Sequence, residues 1–184
     1  MEKGNFMKKF VFLLIVFAVM AGQSATAKTN IGLKGIGPRA GFVDPDHGDG
    51  AVTLGVVADM GTWAENVPWE MALTWWDAGE DDGAVDWSFT DIAFRNSVAY
   101  MFEVGKNVYV YPGAGIGIHF LNSSVDGPGV NNRDDSDTEM TLMILGGLQF
   151  PIAKRWHGQT ELQLDFGDAE QTNVQVDFIY ELGR

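Results

Sequence analysis

The chain has 184 residues, with 12 Lys and Arg against 25 Asp and Glu, which gives a formal net charge of -13, and it contains no cysteine. With 46% hydrophobic residues, it is long enough for one folded domain and too apolar for a disordered acidic tail. The negative charge repels phosphate backbones, and no Gly-Lys-Ser/Thr loop is present, so nucleic-acid and nucleotide binding are excluded as main functions. The absence of cysteine excludes disulfides, zinc ribbons and thiol nucleophiles.

Residues 1–27 have the pattern of a secretory signal peptide, with Met7 as an alternative start to Met1. Two lysines precede an apolar run at residues 10–20, and a stretch of small residues ends at Ala27. An uncleaved membrane anchor is the alternative, but this run is shorter than the ~20 residues that a spanning helix needs. We therefore expect cleavage after Ala27, which leaves 9 basic and 24 acidic residues and a net charge of -15 on residues 28–184.

Alternation of apolar and polar side chains predicts eight β-strands in the rest of the chain. From Val52 to Met60, for example, the even-numbered residues are apolar and the odd-numbered ones include Thr53 and Asp59. This period of two is that of a strand with one apolar face, and no segment is apolar for long enough to predict a transmembrane helix. The predicted strands cover residues 31–43, 52–60, 69–75, 92–102, 108–120, 140–150, 162–166 and 174–180.

Turn-forming residues divide the connections into two kinds. The first, third, fifth and seventh are acidic, rich in Gly and mostly long: residues 44–50, 77–85, 123–137 and 167–171. The others are shorter and partly basic: residues 61–67, 103–107 and 151–155. Long loops at one end and short turns at the other are typical of a membrane barrel.

The aromatic residues favour a membrane barrel over a soluble sandwich or a lipocalin-like barrel. On the apolar faces they occur at both strand ends, with aliphatic residues between. The loop ends carry Phe42, Trp75, Phe120 and Phe166, and the turn ends carry Trp69, Tyr100, Phe102, Phe150, Trp156 and Tyr180. A soluble core gives no reason for two such rims, whereas aromatic side chains settle at both membrane interfaces. We therefore predict an all-β, eight-stranded antiparallel up-and-down transmembrane barrel, closed between its first and last strands.

Two irregularities interrupt the alternation. In the fourth strand Trp87 and Phe89 share the parity of polar residues such as Asp91, which predicts a β-bulge near Thr90. The first strand changes phase as well, which predicts a kink at residues 35–38.

The exported chain resembles the small eight-stranded outer-membrane β-barrels of the OmpA/OmpX-like, porin-family class. The resemblance is topological, covers about the full length, and is carried by Ile36–Phe42, Leu54–Gly61, Phe89–Phe94, Tyr111–Gly117 and Leu145–Phe150. It implies a location in the outer membrane of a Gram-negative-type bacterium, insertion by the barrel-assembly machinery, and no assigned chemistry.

Seven charged residues lie in mid-strand on the polar faces and form a predicted polar network in the lumen: Asp59, Glu70, Asp91, Arg95, Glu161, Asp165 and Asp177. Arg95 surrounded by acids indicates either a structural plug of salt bridges or a narrow cation-selective channel. The inward glycines of residues 113–117 leave room for longer side chains opposite. Because an eight-stranded lumen is narrow enough for side chains to fill, we expect the plug.

Catalytic alternatives rest on histidines. His47, among Asp44, Asp46 and Asp49 and with Asp81 and Asp82 in the next loop, could activate water at the rim. His119 could serve as the base for Ser123 or Ser124 in an acyl-transfer site. A solvated acidic loop and a hydrogen-bonded interior histidine explain the same residues, so we assign no catalytic residue. A rim-located enzyme acting on lipid A or peptides is the alternative function.

The loop acids give weak metal signals. Asp44, Asp46, Asp49, Asp134, Asp135 and Asp137 offer oxygen ligands for loop cation contacts, but they lack EF-hand spacing. A cation layer bridging to lipopolysaccharide phosphates would use the same acids. We expect a monomer without metal or cofactor that contacts outer-membrane lipids and lipopolysaccharide and has a structural or surface-interaction role.

Overall fold

The computed structural model describes residues 29–46, 49–81, 86–126 and 133–183. The predicted signal peptide lies outside these ranges. Within them, no helix is long and apolar enough to cross a membrane. The strands are β1 (Asn30–Pro45), β2 (Ala51–Ala64), β3 (Val67–Asp81), β4 (Asp86–Ala99), β5 (Phe102–Gly105), β6 (Val108–Asp126), β7 (Arg133–Ala153), β8 (Trp156–Gly167) and β9 (Gln171–Glu181).

The strands close into a barrel. Neighbours around the wall pair antiparallel, and β1 pairs with β9. β4 pairs with β3 and β6, while the short β5 pairs with the turn-proximal part of β6, so β4 and β5 share one position in the wall. The wall therefore has eight strand positions. The predicted up-and-down barrel, closed between its first and last strands, is confirmed.

The two faces of the wall have the chemistry that a membrane barrel needs. Leu54 on the outer face is 50% exposed, whereas Asp177 on the inner face is 0% exposed. Other exposed apolar side chains are Val52, Ile116, Leu162 and Val174, and other buried polar ones are Glu161, Gln163, Asn173 and Gln175. A soluble barrel would reverse this arrangement, because there the apolar face must leave water.

Aromatic side chains flank the apolar belt at both ends, as the sequence predicts. Phe42, Trp75 and Phe120 are exposed at the loop end. At the turn end, ring pairs form with centroid distances of 5.7 Å for Trp63 and Trp69, 4.7 Å for Tyr100 and Phe102, and 5.1 Å for Trp156 and Tyr180. These rings mark the two membrane interfaces.

Asn96 lies on the lipid-facing parity of β4, where an unpaired polar side chain is costly. The indole N–H of Trp69 on β3 donates a hydrogen bond to Asn96 Oδ1 at 3.0 Å. Met71 pairs with Asn96 in the β3–β4 register, so Trp69 is its diagonal neighbour. The amide oxygen therefore has a partner, and this bond fixes an interfacial ring.

The predicted bulge near Thr90 is wrong. β4 pairs without a register shift with both of its neighbours. Phe89 keeps the inward parity, and its ring centroid lies 5.4 Å from that of Trp76, beside a buried cluster that also contains Val43 and Ala51. Apolar side chains can face inward here because they pack on one another.

The irregularity in β1 lies earlier than predicted. The register with β2 shifts between Ile31 and Gly35, and Pro38 pairs regularly with Val56. Gly32 in the shifted segment has a φ of 141°, a conformation that side chains other than glycine rarely adopt. The glycine, rather than the proline, therefore accounts for the change of phase.

Two of the predicted loops are shorter than expected. β3 runs to Asp81 and β4 starts at Asp86, while β6 runs to Asp126 and β7 starts at Arg133. Much of the predicted loops 77–85 and 123–137 is therefore paired strand, for example Ser123 opposite Asp135. Polar side chains do not end a strand, because a sheet that extends into water can have both of its faces solvated.

The opposite end has the tightest connections. Two residues join β2 to β3, β5 to β6 and β7 to β8. Asn66 and Asn107 in these turns have φ angles of 61° and 57°, the left-handed conformation that such hairpins favour. Short turns face the periplasm in outer-membrane barrels, so we call this the periplasmic end and the other the outer end.

Candidate functional site

The barrel interior is the site to which the strands direct their polar side chains. Alternation places every second residue of each strand inside. Of the seven predicted network residues, Asp91, Arg95, Glu161, Asp165 and Asp177 are buried there, while Asp59 and Glu70 are half-buried nearer the periplasmic end. Their hydrogen bonds divide them into separate clusters.

The first cluster centres on Arg39 and Asp177. Arg39 Nε and one terminal guanidinium nitrogen each donate to an Asp177 oxygen at 2.7 Å. The same terminal nitrogen lies 3.7 Å from Glu161, which also accepts a hydrogen bond from the Tyr111 hydroxyl at 3.4 Å. Bidentate guanidinium–carboxylate pairs are strong and geometrically specific. We call Arg39, Asp177, Glu161 and Tyr111 the arginine plug.

Sequence reasoning did not assign Arg39 to the network. The signal was present, because Arg39 has the parity opposite to Ala40 and Phe42 on the outer face. Of the acids that the sequence places around Arg95, Asp165 pairs with it. Glu161 and Asp177 pair with Arg39.

The second cluster centres on Asp165. Arg95 lies 3.3 Å from Asp165 Oδ2 and also donates to the Thr74 hydroxyl. Three amides complete the carboxylate's hydrogen bonds, from Gln163 at 2.7 Å, Gln171 at 3.0 Å and Asn173 at 3.3 Å. A buried charge with this many donors is compensated.

The third cluster centres on His119, and both of its ring nitrogens have partners. Its Nδ1 lies 2.8 Å from Asp91 Oδ2, and its Nε2 lies 3.1 Å from the Thr141 hydroxyl. These contacts do not support the alternative in which His119 is the base for Ser123 or Ser124, and the Ser124 hydroxyl lies 2.7 Å from that of Ser88. The hydroxyl, imidazole and carboxylate have the order of a nucleophilic triad, but all three side chains are buried, so a substrate has no access to Thr141.

The inward glycines of β6 make room for the side chains of β7, as predicted. A Cβ atom on Gly113 would lie 2.6 Å from Leu145, one on Gly115 2.4 Å from the end of Met143, and one on Gly117 2.6 Å from the Thr141 hydroxyl. Side chains from one strand thus fill space that the facing strand leaves empty. The interior is packed rather than open at this level.

Two cavities lie inside the barrel, and the smaller one adjoins the arginine plug. A small one of about 10 Å³, lined by Glu70, Tyr111, Gln159 and Glu161 among others, has room for about one water molecule. A larger one of about 820 Å³ opens toward the periplasmic turns. We call the larger cavity the periplasmic vestibule.

The acids predicted to contact cations are dispersed. Asp44 lies in β1 opposite Thr172, and the Asp137 carboxylate accepts a hydrogen bond from the Thr138 amide at 2.7 Å. Asp46 donates its backbone N–H to the Glu170 carbonyl at 3.0 Å, and Asp49 lies in the connection between β1 and β2. Asp134 and Asp135 lie in β7, the side chain of Asp134 is not described, and His47 and Asp82 lie outside the described residues. Within the described ranges no group of three or more His, Cys, Asp or Glu side chains could hold a metal ion, so cation contacts remain a prediction.

Comparisons with known proteins agree with this architecture. The family model for the outer membrane protein beta-barrel domain matches residues 10–181. Ail, the attachment invasion locus protein of Yersinia pestis, is similar with a TM-score of 0.56 and 14% identity over 80% of this chain and 95% of Ail. Neisserial surface protein A gives a TM-score of 0.57 and 14% identity over 80% of this chain and 95% of its own. The N-terminal β-barrel domain of Pseudomonas aeruginosa OprF gives a TM-score of 0.51 and 15% identity over 81% of this chain and 99% of its own.

These structural likenesses show the fold, while the family model covers most of the chain. No curated protein matches the sequence. The chain belongs to the outer membrane β-barrel domain family.

Proposed function

We propose that the protein is a non-enzymatic, non-conducting barrel of the outer membrane that presents a protruding β-sheet for interactions at the cell surface. The observation that carries this proposal is the unequal height of the wall. The ladder between β3 and β2 ends at Trp76, opposite Thr53. From Asp77 outward, β3 therefore pairs with β4 only. The ladder between β7 and β8 likewise ends at Thr141, opposite Gly167. From Met140 outward, β7 therefore pairs with β6 only.

Four strands therefore rise above the rim on one side of the barrel: β3, β4, β6 and β7. We call these extensions the outer sheet. Its two edges, one on β3 and one on β7, are backbone edges on which another extended chain can add as a strand. A protein without a surface partner would gain nothing from maintaining such edges, which are liable to aggregate.

Charge selects the partner of this sheet. The edge strand β7 carries Asp137 and Glu139, and the segments at the outer end contain a single basic residue, Arg133. Acidic edges repel other acidic chains, including second copies of this protein, and attract basic ones. The partner that fits is an extended segment of alternating basic and apolar residues.

The proposal of a closed lumen rests on the arginine plug and the Asp165 cluster. Both fix charged side chains across the interior at hydrogen-bond distances. An eight-stranded barrel of this kind is expected to block ions rather than pass them. In planar bilayers the purified protein is expected to show no unitary currents, and reproducible channels would contradict a closed lumen.

The surface role is tested by shortening the outer sheet. Ser123 and Asp135 face each other in the ladder, so residues 124–134 can be replaced by Asn-Gly, a two-residue hairpin turn. The matched control replaces Lys154 and Arg155 by Asn-Gly at the periplasmic end, in a connection that already has two residues. Heat-modifiable gel mobility checks that both variants insert as folded barrels.

The assay measures binding of a labelled peptide of alternating Lys and Val to proteoliposomes with the outer end exposed. Wild type and the control variant are expected to bind saturably, with affinity that falls as salt rises. The shortened variant is expected to bind at least tenfold more weakly. Equal binding by the shortened variant refutes the outer sheet as the interaction surface.

A further inference from the structure

The periplasmic vestibule has the size of a ligand site. Its volume of about 820 Å³ lies within the roughly 300–1,000 Å³ of small-molecule pockets. Lys34, Asp59, Glu70, His157, Gln159 and Glu181 are among its lining residues. They come from β1, β2, β3, β8 and β9, so barrel closure is what brings them together.

Two buried polar side chains of the vestibule have atoms without a hydrogen-bond partner in the described part of the chain. Gln159, which is 2% exposed, donates its amide to Glu70 at 2.7 Å, but its Oε1 has no donor. His157, 9% exposed, has an unpartnered Nδ1. Glu181, at 3.9 Å from that nitrogen, is too far for a hydrogen bond. A buried polar atom left unpaired is costly. Gln159 Oε1 therefore favours a ligand that supplies an N–H group, and His157 Nδ1 does so in the tautomer that carries its proton on Nε2.

The charges of the vestibule select the sign of such a ligand. Three carboxylates, Asp59, Glu70 and Glu181, line it together with one lysine, Lys34. The Gly61 amide uses one oxygen of Asp59 at 2.7 Å. The excess of acceptors and of negative charge favours a cation with several donors.

We infer that the periplasmic vestibule binds a small organic cation carrying ammonium or guanidinium groups. Its N–H groups donate to Gln159 Oε1, to His157 Nδ1 and to the surrounding carboxylates. A chelated metal ion is disfavoured, because no group of three or more metal-ligating side chains occurs within residues 29–46, 49–81, 86–126 and 133–183. Glu70 and Gln159 line both cavities, and the small one is also lined by Glu161 and Tyr111 of the arginine plug. The plug therefore lies deeper in the barrel than the vestibule, so the cation binds at the mouth and does not pass. This binding is independent of the outer sheet.

The test titrates putrescine into the purified barrel in lipid nanodiscs by isothermal calorimetry, with 1,4-butanediol as the neutral analogue of equal length. Wild type is expected to bind putrescine saturably at one site and to ignore butanediol. A double variant, Asp59→Asn with Glu181→Gln, is expected to weaken binding at least tenfold. The matched control, Asp168→Asn with Glu170→Gln, makes the same charge change at two exposed residues of the outer end and is expected to leave the affinity unchanged.

Folding of every variant is checked by heat-modifiable mobility, and the comparison of putrescine with butanediol on wild type does not depend on any variant. The inference is overturned if wild type shows no saturable putrescine binding or if butanediol competes equally. Equal loss in the control variant overturns it as well, because it would indicate general surface attraction. Stoichiometric displacement of putrescine by Ca²⁺ would instead identify a metal site.

Discussion

Removal of the Arg39 side chain is the most direct test of the arginine plug. Arg39→Met keeps much of the aliphatic volume but leaves Asp177, which is completely buried, without the two hydrogen bonds at 2.7 Å that compensate its charge. Glu161 loses its cation at 3.7 Å as well. Breaking a buried ion pair in this way costs ~3–5 kcal/mol, because an uncompensated charge remains inside.

That cost corresponds to about two to three and a half orders of magnitude in the folding equilibrium constant, at about 1.4 kcal/mol per tenfold. The assay is urea unfolding of the barrel in lipid vesicles, followed by tryptophan fluorescence. Arg39→Met combined with Asp177→Leu removes both charges of the pair and is expected to recover at least half of the loss. The control is Arg155→Met, since the exposed Arg155 guanidinium lies over the Tyr180 ring at 4.9 Å and is expected to contribute less than about 1 kcal/mol.

A loss below about 1 kcal/mol for Arg39→Met would refute the reasoning, because it would mean that water solvates Asp177 within the barrel. Failure of the double variant to recover stability would show instead that the guanidinium acts through packing. Either result would also weaken the case for a closed lumen.

Three further perturbations test the wall. Leu54→Arg places a charge on the lipid face and is expected to cost ~2–4 kcal/mol near the bilayer midplane; an unchanged urea midpoint would contradict lipid contact. Asn96→Ala removes the acceptor of the Trp69 indole and is expected to cost roughly 0.5–1.5 kcal/mol, a loss that should vanish in a Trp69→Phe background. Gly37→Ala is expected to block heat-modifiable folding, since its Cβ would meet a β9 carbonyl oxygen at 1.8 Å, whereas Gly146→Ala, with its nearest atom at 3.6 Å, is expected to fold.

The side chains near the outer rim and those in the interior of the barrel have different roles. Aromatic and aliphatic side chains near the outer rim, with Phe89 on Trp76, cover the polar clusters below. In the His119 cluster the hydroxyl, imidazole and carboxylate are aligned, and the packing that aligns them also buries all three side chains. Interior polar residues here stabilise the wall that carries the outer sheet.

The alternation of the sequence determined which face of each strand meets lipid. Leu54 and Asp177 lie on the faces that their parity predicts, because the period of two is a local property of extended backbone and does not depend on neighbouring strands. The two aromatic rims follow from the same local property and from the affinity of rings for membrane interfaces.

Only the tertiary structure decided which interior residues meet. Arg39 and Asp177 are 138 residues apart in the chain, and their contact depends on the β1–β9 register at which the barrel closes. Parity places both side chains inside but does not determine the register between the two strands. The sequence analysis therefore named Arg95 as the only basic residue among the acids. The outer sheet has the same origin, because the end of a strand in water is set by where its partners continue rather than by the polarity of its own side chains.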